Sequence, residues 1–451
     1  MTDSDCAMDL ESFLDRVQAR SPNQDAFHQA VREVAGDLLP LCRDEPRLRE
    51  ALVLDRLTEP DRVVHFRVVW EDDRGRVRLN RGYRVQFNGA IGPYKGGLRF
   101  HPSVDLSTLK FLAFEQTFKN ALTGLPMGGA KGGADFDPRS CSEREIERFC
   151  HAFMVELHRH IGPDTDVPAG DMNVGEREIG FLFGAYRRIT NDFEGALTGK
   201  GQSFGGSARR THATGNGLVF FVCRMLGEHG MELDGRTVAI SGAGNVATHA
   251  ADKALSLGAR VVTLSDSRGT LVHEDGLSSE QIAAVRRHKT EGRGSLEDCA
   301  RAFGAEWRAD HKPWSVSAEV ALPCATENEL ERDDALALVA NGCRAVGEGA
   351  NMPTTPEARI ALHEAGVLFA PAKAANAGGV AVSGLEISQN RAAKPLDAGT
   401  VQDELERIMG EIHDRSAAAG RDDDGRIDYA RGANVAAFQR LADAMLAQGR
   451  F

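Results

Sequence analysis

One segment of this chain constrains its fold more than any other. The run RTVAISGAGNVATHAADKALSLGARVVTLSDS has the pattern of a short buried strand, a glycine turn, a helix and a second strand. Gly242, Gly244 and Ala247 form G-x-G-x-x-A within the turn. The first glycine permits a tight turn, the second lets an anion come close to the backbone, and the small third residue lets helix and strand pack. Asp266 ends the second strand, so the segment predicts a dinucleotide-binding unit of the Rossmann type.

The segments that follow this unit in the sequence continue its alternation of strands and helices, whereas the segments that precede it show a different pattern. Short apolar strands follow at EVALPCA, RAVGEGAN and GVLFAP, separated by helical patterns, which predicts a parallel sheet covered on both faces. Earlier, DRVVHFRVVWEDD and RVRLNRGYRVQFN alternate apolar and polar residues and predict a hairpin in a mixed sheet. The N-terminal segment has helical spacing. The predicted fold class is therefore α/β, with a mixed-sheet domain and a modified Rossmann domain.

The length of the chain supports this division. At 451 residues it exceeds the size of one ordinary core, so two domains are expected. We place a first domain at 1–205, which would bind substrate and make oligomer contacts. A dinucleotide-binding Rossmann domain follows at 206–425. Residues 426–451 are predicted to form a C-terminal helix that returns to the first domain.

Composition excludes several classes of function. The formal net charge of -12 leaves no basic excess for general nucleic-acid binding. No stretch approaches about 18 consecutive apolar residues, so no membrane span is predicted. The acidic, amphipathic N-terminus lacks the features of a signal peptide, and a cytoplasmic location is expected. The eight cysteines form no CxxC pair and no cluster with zinc spacing, so we predict reduced thiols and no metal site.

Lysines are scarce and unevenly placed. Only ten of the 54 basic residues are lysine, and Lys95, Lys110, Lys119 and Lys131 fall within one short stretch. A buried lysine can lose its proton, whereas arginine stays charged. Lysines clustered in an arginine-rich chain are therefore candidates for proton chemistry.

The same stretch carries a family resemblance. The run YRVQFNGAIGPYKGGLRFHPSVDLSTLKFLAFEQTFKNALTGLPMGGAKGGADFDP closely resembles the hexameric bacterial glutamate dehydrogenases of the Glu/Leu/Phe/Val dehydrogenase family. So do VPAGDMNVGEREIG, GKGQSFGGS, ALPCATENEL, EGANMPTTPEA and APAKAANAGGVAVSGLE. The resemblance implies a homohexameric enzyme that interconverts L-glutamate with 2-oxoglutarate and ammonium, using a nicotinamide dinucleotide.

The resemblance also assigns roles to residues of the first domain. Lys131, in GGAKGG, matches the catalytic lysine, and Asp171, in PAGD, matches the aspartate that transfers a proton. The substrate-binding residues that it implies are Lys119 and Gln116 for the α-carboxylate end, Lys95 and Ser383 for the γ-carboxylate, and the backbone of Gly170. These residue types suit the chemistry. A substrate with two carboxylates needs fixed cations, and a lysine with a lowered pKa can move protons.

The cofactor contacts include matches to the family and an open question. Thr214 and Asn245 match cofactor contacts of the family. Asp266 stands 24 residues after the first glycine of the turn, where a carboxylate accepts the ribose 2′-hydroxyl of NAD. Serines and a basic helix nearby suit a 2′-phosphate instead. We predict NADP, with Ser267 and Lys289 as contacts to the 2′-phosphate, and keep NAD as the alternative.

The chain departs from the family's usual motifs at three places, and other functions stay open. Ala130, in GGAKGG, stands where a glycine is commoner. AGDMNVG stands where the family has AGDIGVG, which places Met172 and Asn173 beside the catalytic aspartate, and Thr211 and His212 replace the usual proline and glutamate. A leucine- or phenylalanine-type dehydrogenase is one alternative, but an unpaired Lys95 facing an apolar substrate would be costly. A non-catalytic nucleotide-binding protein is another, although it would not need a catalytic lysine and aspartate together.

Overall fold

The computed structural model describes residues 9–291 and 295–449. The chain divides into two compact units. Unit 1 comprises Met1–Ala208, Val382–Val401 and Asn434–Phe451. Unit 2 comprises Arg209–Ala381 and Gln402–Ala433.

Unit 1 opens with helices, as the periodicity of the N-terminal segment predicts. They are α1 (Leu10–Arg20), α2 (Asp25–Asp44), α3 (Pro46–Glu50) and α4 (Val53–Leu57). Asp9 caps α1 by accepting a hydrogen bond from the Ser12 N–H. The apolar stripe of α2, from Phe27 to Leu39, is fully or almost fully buried.

The sheet of unit 1 is mixed, as predicted. Its strands are β1 (Arg62–Glu71), β2 (Val77–Asn88), β3 (Tyr94–Phe100), β4 (Gly128–Ala134) and β5 (Asp166–Gly170). They lie in the order β1-β2-β4-β3-β5. The predicted hairpin is confirmed, because β1 and β2 pair antiparallel. β3 runs parallel to both of its neighbours, β4 and β5.

Three helices complete the main part of unit 1. They are α5 (Leu106–Leu122), α6 (Glu143–Leu157) and α7 (Glu176–Thr190). α5 packs against β4 and β2. The packing is close, because a Cβ on Gly129 would lie 1.9 Å from Thr117 Oγ1. α6 begins with a capping box, in which Ser142 and Glu145 are each bonded to the other's backbone N–H.

Unit 2 has a parallel sheet, also as predicted. Its strands are β6 (Thr237–Ile240), β7 (Arg260–Val261), β11 (Val320–Leu322), β12 (Ala345–Gly347) and β13 (Leu368–Ala370), in the order β13-β12-β11-β6-β7. The helices between and around them are α8 (Ala213–Glu228), α9 (Asn245–Ser256), α12 (Arg332–Ala340), α13 (Pro356–Glu364) and α14 (Ala372–Ala375).

A smaller antiparallel sheet was not expected from the sequence. It consists of β8 (Thr263–Asp266), β9 (Gly269–Val272) and β10 (Glu306–Ala309), with α10 (Ser279–Glu291) and α11 (Leu296–Phe303) in the same region. The single strand predicted over GARVVTLSDS is therefore split at Val262, because β7 pairs with β6 while β8 pairs with β9.

The last helices, α15 (Gly378–Ala392), α16 (Ala398–Gly420) and α17 (Tyr429–Ala447), each contribute residues to both units. The Arg440 guanidinium on α17 donates hydrogen bonds to carbonyl oxygens of Ala121, Gly124 and Leu125 within unit 1. Among the described residues, no helix has both the length and the apolar character that crossing a membrane requires.

Candidate functional site

Two candidate site residues of unit 1, Lys95 and Lys131, lie on adjacent strands. Lys95 on β3 stands opposite Gly129 on β4. Because side chains alternate along a strand, Lys95 and Arg99 share one face of β3, and Lys131 projects from the same face of β4. Lys95 and Lys131 are 1% and 4% exposed, so both ammonium groups are held away from bulk water.

Asp171 completes this group. It follows β5 directly, and the Lys131 Nζ lies 3.1 Å from its Oδ1. Its other oxygen, Oδ2, accepts a hydrogen bond of 2.9 Å from the Nε of Arg99. The structure thus brings together both residues predicted to be catalytic, along with an arginine that the sequence reasoning did not select.

This arrangement shifts both acid–base groups. Burial lowers the pKa of Lys131, and the nearby guanidinium groups of Arg99 and Arg84 lower it further, against the opposing effect of Asp171. Burial alone would raise the pKa of Asp171, but Lys131 and Arg99 outweigh it and hold the pKa of this carboxyl below its usual range. The site therefore favours an ionised carboxylate beside a lysine that releases its proton more readily than usual.

The departures from the family motif beside Asp171 have a structural explanation. Asn173 has φ +58°, a left-handed conformation that glycine and asparagine tolerate best. Its side-chain amide donates to the Phe100 carbonyl at 2.9 Å, and the Phe100 N–H donates to the Met172 carbonyl at 3.1 Å. The loop is thus tied to β3. Asp171 does not cap α7, because the N-cap is Gly175.

Gln116 is linked to Lys95 through a residue of α5. The Gln116 amide donates to Asn120 Oδ1 at 2.7 Å. The Asn120 amide in turn donates to the carbonyl oxygens of Lys95 at 3.0 Å and Gly128 at 2.6 Å. Lys119 lies three residues after Gln116 on the same helix face and is half-buried.

The remaining residues predicted to bind substrate also lie in unit 1. Ser383 is 1% exposed on α15. The next residue, Gly384, packs so closely that a Cβ there would lie 2.5 Å from Leu125 Cδ1. Gly170 ends β5, and a Cβ there would lie 2.2 Å from the Val174 carbonyl oxygen, so only glycine fits.

Lys110, the fourth lysine of the cluster, is used differently. Its Nζ donates to Ser21 Oγ at 2.6 Å and lies 4.3 Å from the centre of the Phe27 ring. These contacts hold α5 against the N-terminal helices. The uneven placement of lysines therefore reflects packing at Lys110.

The dinucleotide turn of unit 2 has the geometry that its sequence predicts. Gly242 has φ +85°, and its N–H donates to Ser265 Oγ at 3.0 Å. Gly244 is the N-cap of α9, Asn245 is its first residue, and both are exposed. Ala247 is fully buried against the strand side. The free N–H groups at this helix N-terminus can hold an anionic group.

Asp266 ends β8 and forms part of the turn that follows. Its Oδ1 accepts a hydrogen bond of 3.0 Å from the Arg268 N–H, and its Oδ2 lies 4.0 Å from the Arg268 guanidinium. Ser267, between them, is exposed. The side chain of Lys289 on α10 lies outside the described part of the structure.

Thr214 lies in the first turn of α8, within unit 2. A Cβ on Gly379 would lie 2.5 Å from its Oγ1. α8 packs closely on α9, because a Cβ on Gly215 would lie 2.5 Å from the Ala250 nitrogen. The helix that carries Thr214 and the helix that begins at the dinucleotide turn are therefore in direct contact.

A histidine pair lies between these two helices. The ring centroids of His212 and His249 are 4.1 Å apart. Burial, with His212 and Arg286 nearby, lowers the pKa of His249 to about 3. Burial, with Arg209 and Arg286 nearby, also lowers the pKa of His212. Arg286 itself is bound to Asp252 and to the Thr248 carbonyl.

Sequence reasoning missed two residues that contact candidate site residues. Arg99 and Asn120 contact Asp171 and Lys95 through the bonds given above. A signal for Arg99 was present, because YKGGLRF places it on the same face of the strand as Lys95. Asn120 had no such signal, since its two carbonyl partners come from β3 and β4.

Comparisons with known proteins agree with this geometry. Residues 60–188 match the family described as Glu/Leu/Phe/Val dehydrogenase, dimerisation domain, and residues 205–449 match Glutamate/Leucine/Phenylalanine/Valine dehydrogenase. The NADP-specific glutamate dehydrogenase of Salmonella typhimurium is 57% identical over 440 residues, covering 98% of each chain. That of Escherichia coli is 55% identical with the same coverage.

Structural similarity extends over the whole chain. The crystal structure of Plasmodium falciparum glutamate dehydrogenase matches with a TM-score of 0.96 at 45% identity, covering 100% of this chain and 98% of that one. The two family matches span both units, and the relatives cover nearly every residue. These findings confirm the predicted α/β fold class and the resemblance seen in the motifs. The chain belongs to the Glu/Leu/Phe/Val dehydrogenase family.

Proposed function

We propose that this chain is an NADP-dependent glutamate dehydrogenase, which interconverts L-glutamate, water and NADP with 2-oxoglutarate, ammonium, NADPH and a proton. The observation that carries the proposal is the buried Lys131–Asp171 pair, with 3.1 Å between Nζ and Oδ1. The identity to the NADP-specific glutamate dehydrogenase of Salmonella typhimurium supports the substrate and the cofactor.

Substrate recognition is proposed to use the buried cations of unit 1. Lys95 is 1% exposed, and a buried ammonium can form strong charge-assisted hydrogen bonds with the carboxylate of a substrate. We assign the glutamate γ-carboxylate to Lys95, with Ser383 as a second contact. Lys119 and Gln116 would hold the α-carboxylate end, and the Gly170 backbone would line the same pocket.

Proton movement is assigned to Lys131 and Asp171. A lysine with a lowered pKa can take up and release a proton near neutral pH. The reaction needs such a group to move protons to and from the oxygen that is derived from water. The ionised Asp171 can accept a proton from the substrate nitrogen. The bound dinucleotide supplies the hydride acceptor.

The turn of unit 2 suits a dinucleotide. The left-handed Gly242 and the exposed start of α9 leave backbone N–H groups for a pyrophosphate, with Asn245 and Thr214 as further contacts. A bare carboxylate at Asp266 would repel a 2′-phosphate. The Arg268 guanidinium lies 4.0 Å from Asp266 Oδ2 and brings positive charge beside that carboxylate, and Ser267 and Lys289 are the proposed contacts of the phosphate.

Self-association, proposed as a homohexamer, is supported by the outer face of the β1–β2 hairpin. Val69, Val77 and Leu79 are 47%, 75% and 66% exposed there. Val69 lies on β1, the edge strand of its sheet, and Val77 and Leu79 lie on the neighbouring strand β2. Exposed apolar side chains beside an open strand edge are typical of protein contacts. Native mass spectrometry would give the subunit count.

The remaining assignments are also proposals. We propose that residues 1–205 bind substrate and form the oligomer contacts, that residues 206–425 bind the dinucleotide, and that residues 426–451 return to the first domain. The location that we propose is the cytoplasm, where glutamate and NADP are both available to such an enzyme.

Steady-state assays with each substrate and cofactor test this function. We expect reduction of NADP to depend on L-glutamate, with a higher kcat/KM than for NAD and little activity on L-leucine. A preference for NAD would favour the NAD-dependent alternative, and a preference for leucine would favour the apolar amino-acid dehydrogenases. Absence of turnover with every pair, despite dinucleotide binding, would favour a non-catalytic protein.

A further inference from the structure

Arg99 is a buried cation in contact with the proposed proton-transfer group. Its side chain is 9% exposed, and its Nε lies 2.9 Å from Asp171 Oδ2. Lys131 occupies the other oxygen, Oδ1, at 3.1 Å. The two carboxylate oxygens are therefore bound by cations from two adjacent strands, β3 and β4.

We propose that Arg99 is a positioning residue for this site, an inference that rests on the function proposed above. By holding Oδ2, Arg99 fixes the carboxylate so that Oδ1 alone faces Lys131. Oδ1 is then the oxygen that receives a proton from the substrate nitrogen as the N–H bond breaks and an O–H bond forms. Arg99 also sets the protonation of both partners through its charge.

The electrostatic effect of Arg99 has the same sign on both groups. A neighbouring cation stabilises a carboxylate and destabilises an ammonium, so Arg99 lowers the pKa of Asp171 and the pKa of Lys131. Without Arg99, less positive charge would oppose the ammonium form of Lys131, and less would stabilise the carboxylate of Asp171. Both pKa values are then expected to rise.

The backbone around Asp171 is arranged to permit this contact. A Cβ on Gly97 would lie 2.8 Å from Asp171 Cβ and 2.9 Å from the Gly170 carbonyl oxygen, so glycine allows the end of β5 to come close to β3. Beyond Asp171, the bonds from Phe100 to Met172 and from Asn173 to Phe100 fix the loop on Arg99's own strand. The carboxylate is thus held against Arg99 from both sides.

A purely structural ion pair would predict a different outcome from a positioning role. Loss of a structural pair lowers stability and reduces activity at every pH alike. Loss of a positioning cation also moves the pH at which the site titrates. The position of the rising limb in the pH profile therefore separates the two roles.

The test compares Arg99→Gln and Arg99→Lys with the parent enzyme. For glutamate oxidation, the rising limb of log kcat/KM should move to higher pH in Arg99→Gln by about one unit, the scale of a close charge. Activity near neutral pH would fall about tenfold and recover in part at alkaline pH. Arg99→Lys keeps the charge and should bring the limb back toward its parental position.

A second measurement does not depend on turnover. The rate of acetic anhydride labelling at Lys131, followed by peptide mass spectrometry over a pH series, reports when that amine loses its proton. Its midpoint should rise in Arg99→Gln. Lys110→Met is the matched control, because it removes another buried cation of unit 1 that is bound to Ser21, and it should leave the midpoint unchanged.

The outcomes separate this inference from the proposed function. An active parent with an unshifted limb and an unshifted labelling midpoint in Arg99→Gln would overturn the role of Arg99 alone. A parent without glutamate-dependent turnover would overturn the proposed function, while the labelling midpoint would still decide whether Arg99 sets the pKa of Lys131. A shift of equal size in Lys110→Met would also contradict the inference.

Discussion

Units 1 and 2 bury titratable groups in opposite ways. In unit 1, Asp171 lies between two cations, Lys131 and Arg99, at hydrogen-bonding distance. In unit 2, the imidazole rings of His212 and His249 lie 4.1 Å apart between centroids. The charges of Arg209 and Arg286 disfavour protonation of this pair more than the charge of Asp252 favours it.

The difference shows how each unit tolerates burial. Burying a charge is costly unless an opposite charge and hydrogen bonds compensate for it. Unit 1 supplies that compensation and can therefore keep ionised groups ready for proton transfer. Unit 2 lowers the pKa of both His212 and His249 and so favours their neutral forms, which suits neutral pH but becomes costly in acid. Chemistry and acid sensitivity are thus predicted to lie in different units.

Removing the side-chain amine of Lys131 should have the largest effect on activity. Lys131→Ala eliminates the group with the lowered pKa, and we expect kcat to fall by about 10²–10⁴-fold, the usual contribution of a positioned acid–base group. Stopped-flow and steady-state measurements of NADPH formation would check this. Turnover within a few-fold of the parent would contradict the assigned role.

The sequence predicts the local parts of this picture but not the contacts between distant strands. The dinucleotide turn and the capping box at Ser142 depend on neighbouring residues, so their patterns can be recognised directly. The contact of Arg99 with Asp171 requires β3 to lie between β4 and β5, which chain order does not indicate. The contact of His212 with His249 likewise depends on how α8 packs on α9.

A second buried ion pair of unit 1 tests how far an opposite charge compensates for the burial of a carboxylate. Arg84 and Asp166 are both fully buried and bound to each other, with 2.8 Å between Nε and Oδ2. Arg84→Met leaves a buried carboxylate unpaired, and we expect the free energy of unfolding to fall by about 3–5 kcal/mol. The double variant with Asp166→Asn should recover much of this loss in chemical denaturation. No recovery would mean that packing, rather than the unpaired charge, explains the effect.

Removing the buried charge of Lys95 tests whether this residue of unit 1 recognises the substrate side chain. Lys95→Leu removes the proposed partner of the γ-carboxylate, and we expect kcat/KM for glutamate to fall by at least about 30-fold, since a buried charge contact is worth about 2–5 kcal/mol. Relative use of leucine or norleucine should improve, and Ser383→Val should add to the change. An unaltered preference for glutamate would show that these residues do not read the side chain.

The histidine pair of unit 2 predicts a pH effect of smaller size. The pKa of His249 is lowered to about 3, whereas in the unfolded chain it is about 6.5. Above about pH 6.5, His249 is neutral in both the folded and the unfolded chain, so it does not reduce the free energy of unfolding. As the pH falls below about 6.5, the unfolded state binds a proton that the folded state does not, so stability is lost by up to about 1.4 kcal/mol per pH unit.

His249→Phe should remove most of that acid sensitivity. The variant keeps an aromatic ring beside His212 but cannot take up a proton, so its free energy of unfolding should change less between pH 7.5 and pH 5.5 than that of the parent. His288→Phe is a suitable control, because His288 is exposed on α10. If His249→Phe and the parent lose equal free energy of unfolding over this range, the histidine pair does not cause the loss of stability in acid.

The most direct test of the division between the units is to measure cofactor affinity and turnover on one variant, Asp171→Asn. This change removes the carboxylate of unit 1 with little change of shape and leaves the dinucleotide turn of unit 2 intact. The account predicts that kcat for glutamate oxidation falls by about 10²-fold or more, while the Kd for NADPH, measured by fluorescence, stays within about twofold of the parental value. A variant that turns over normally, or one that loses NADPH affinity in proportion to its activity, would contradict the account.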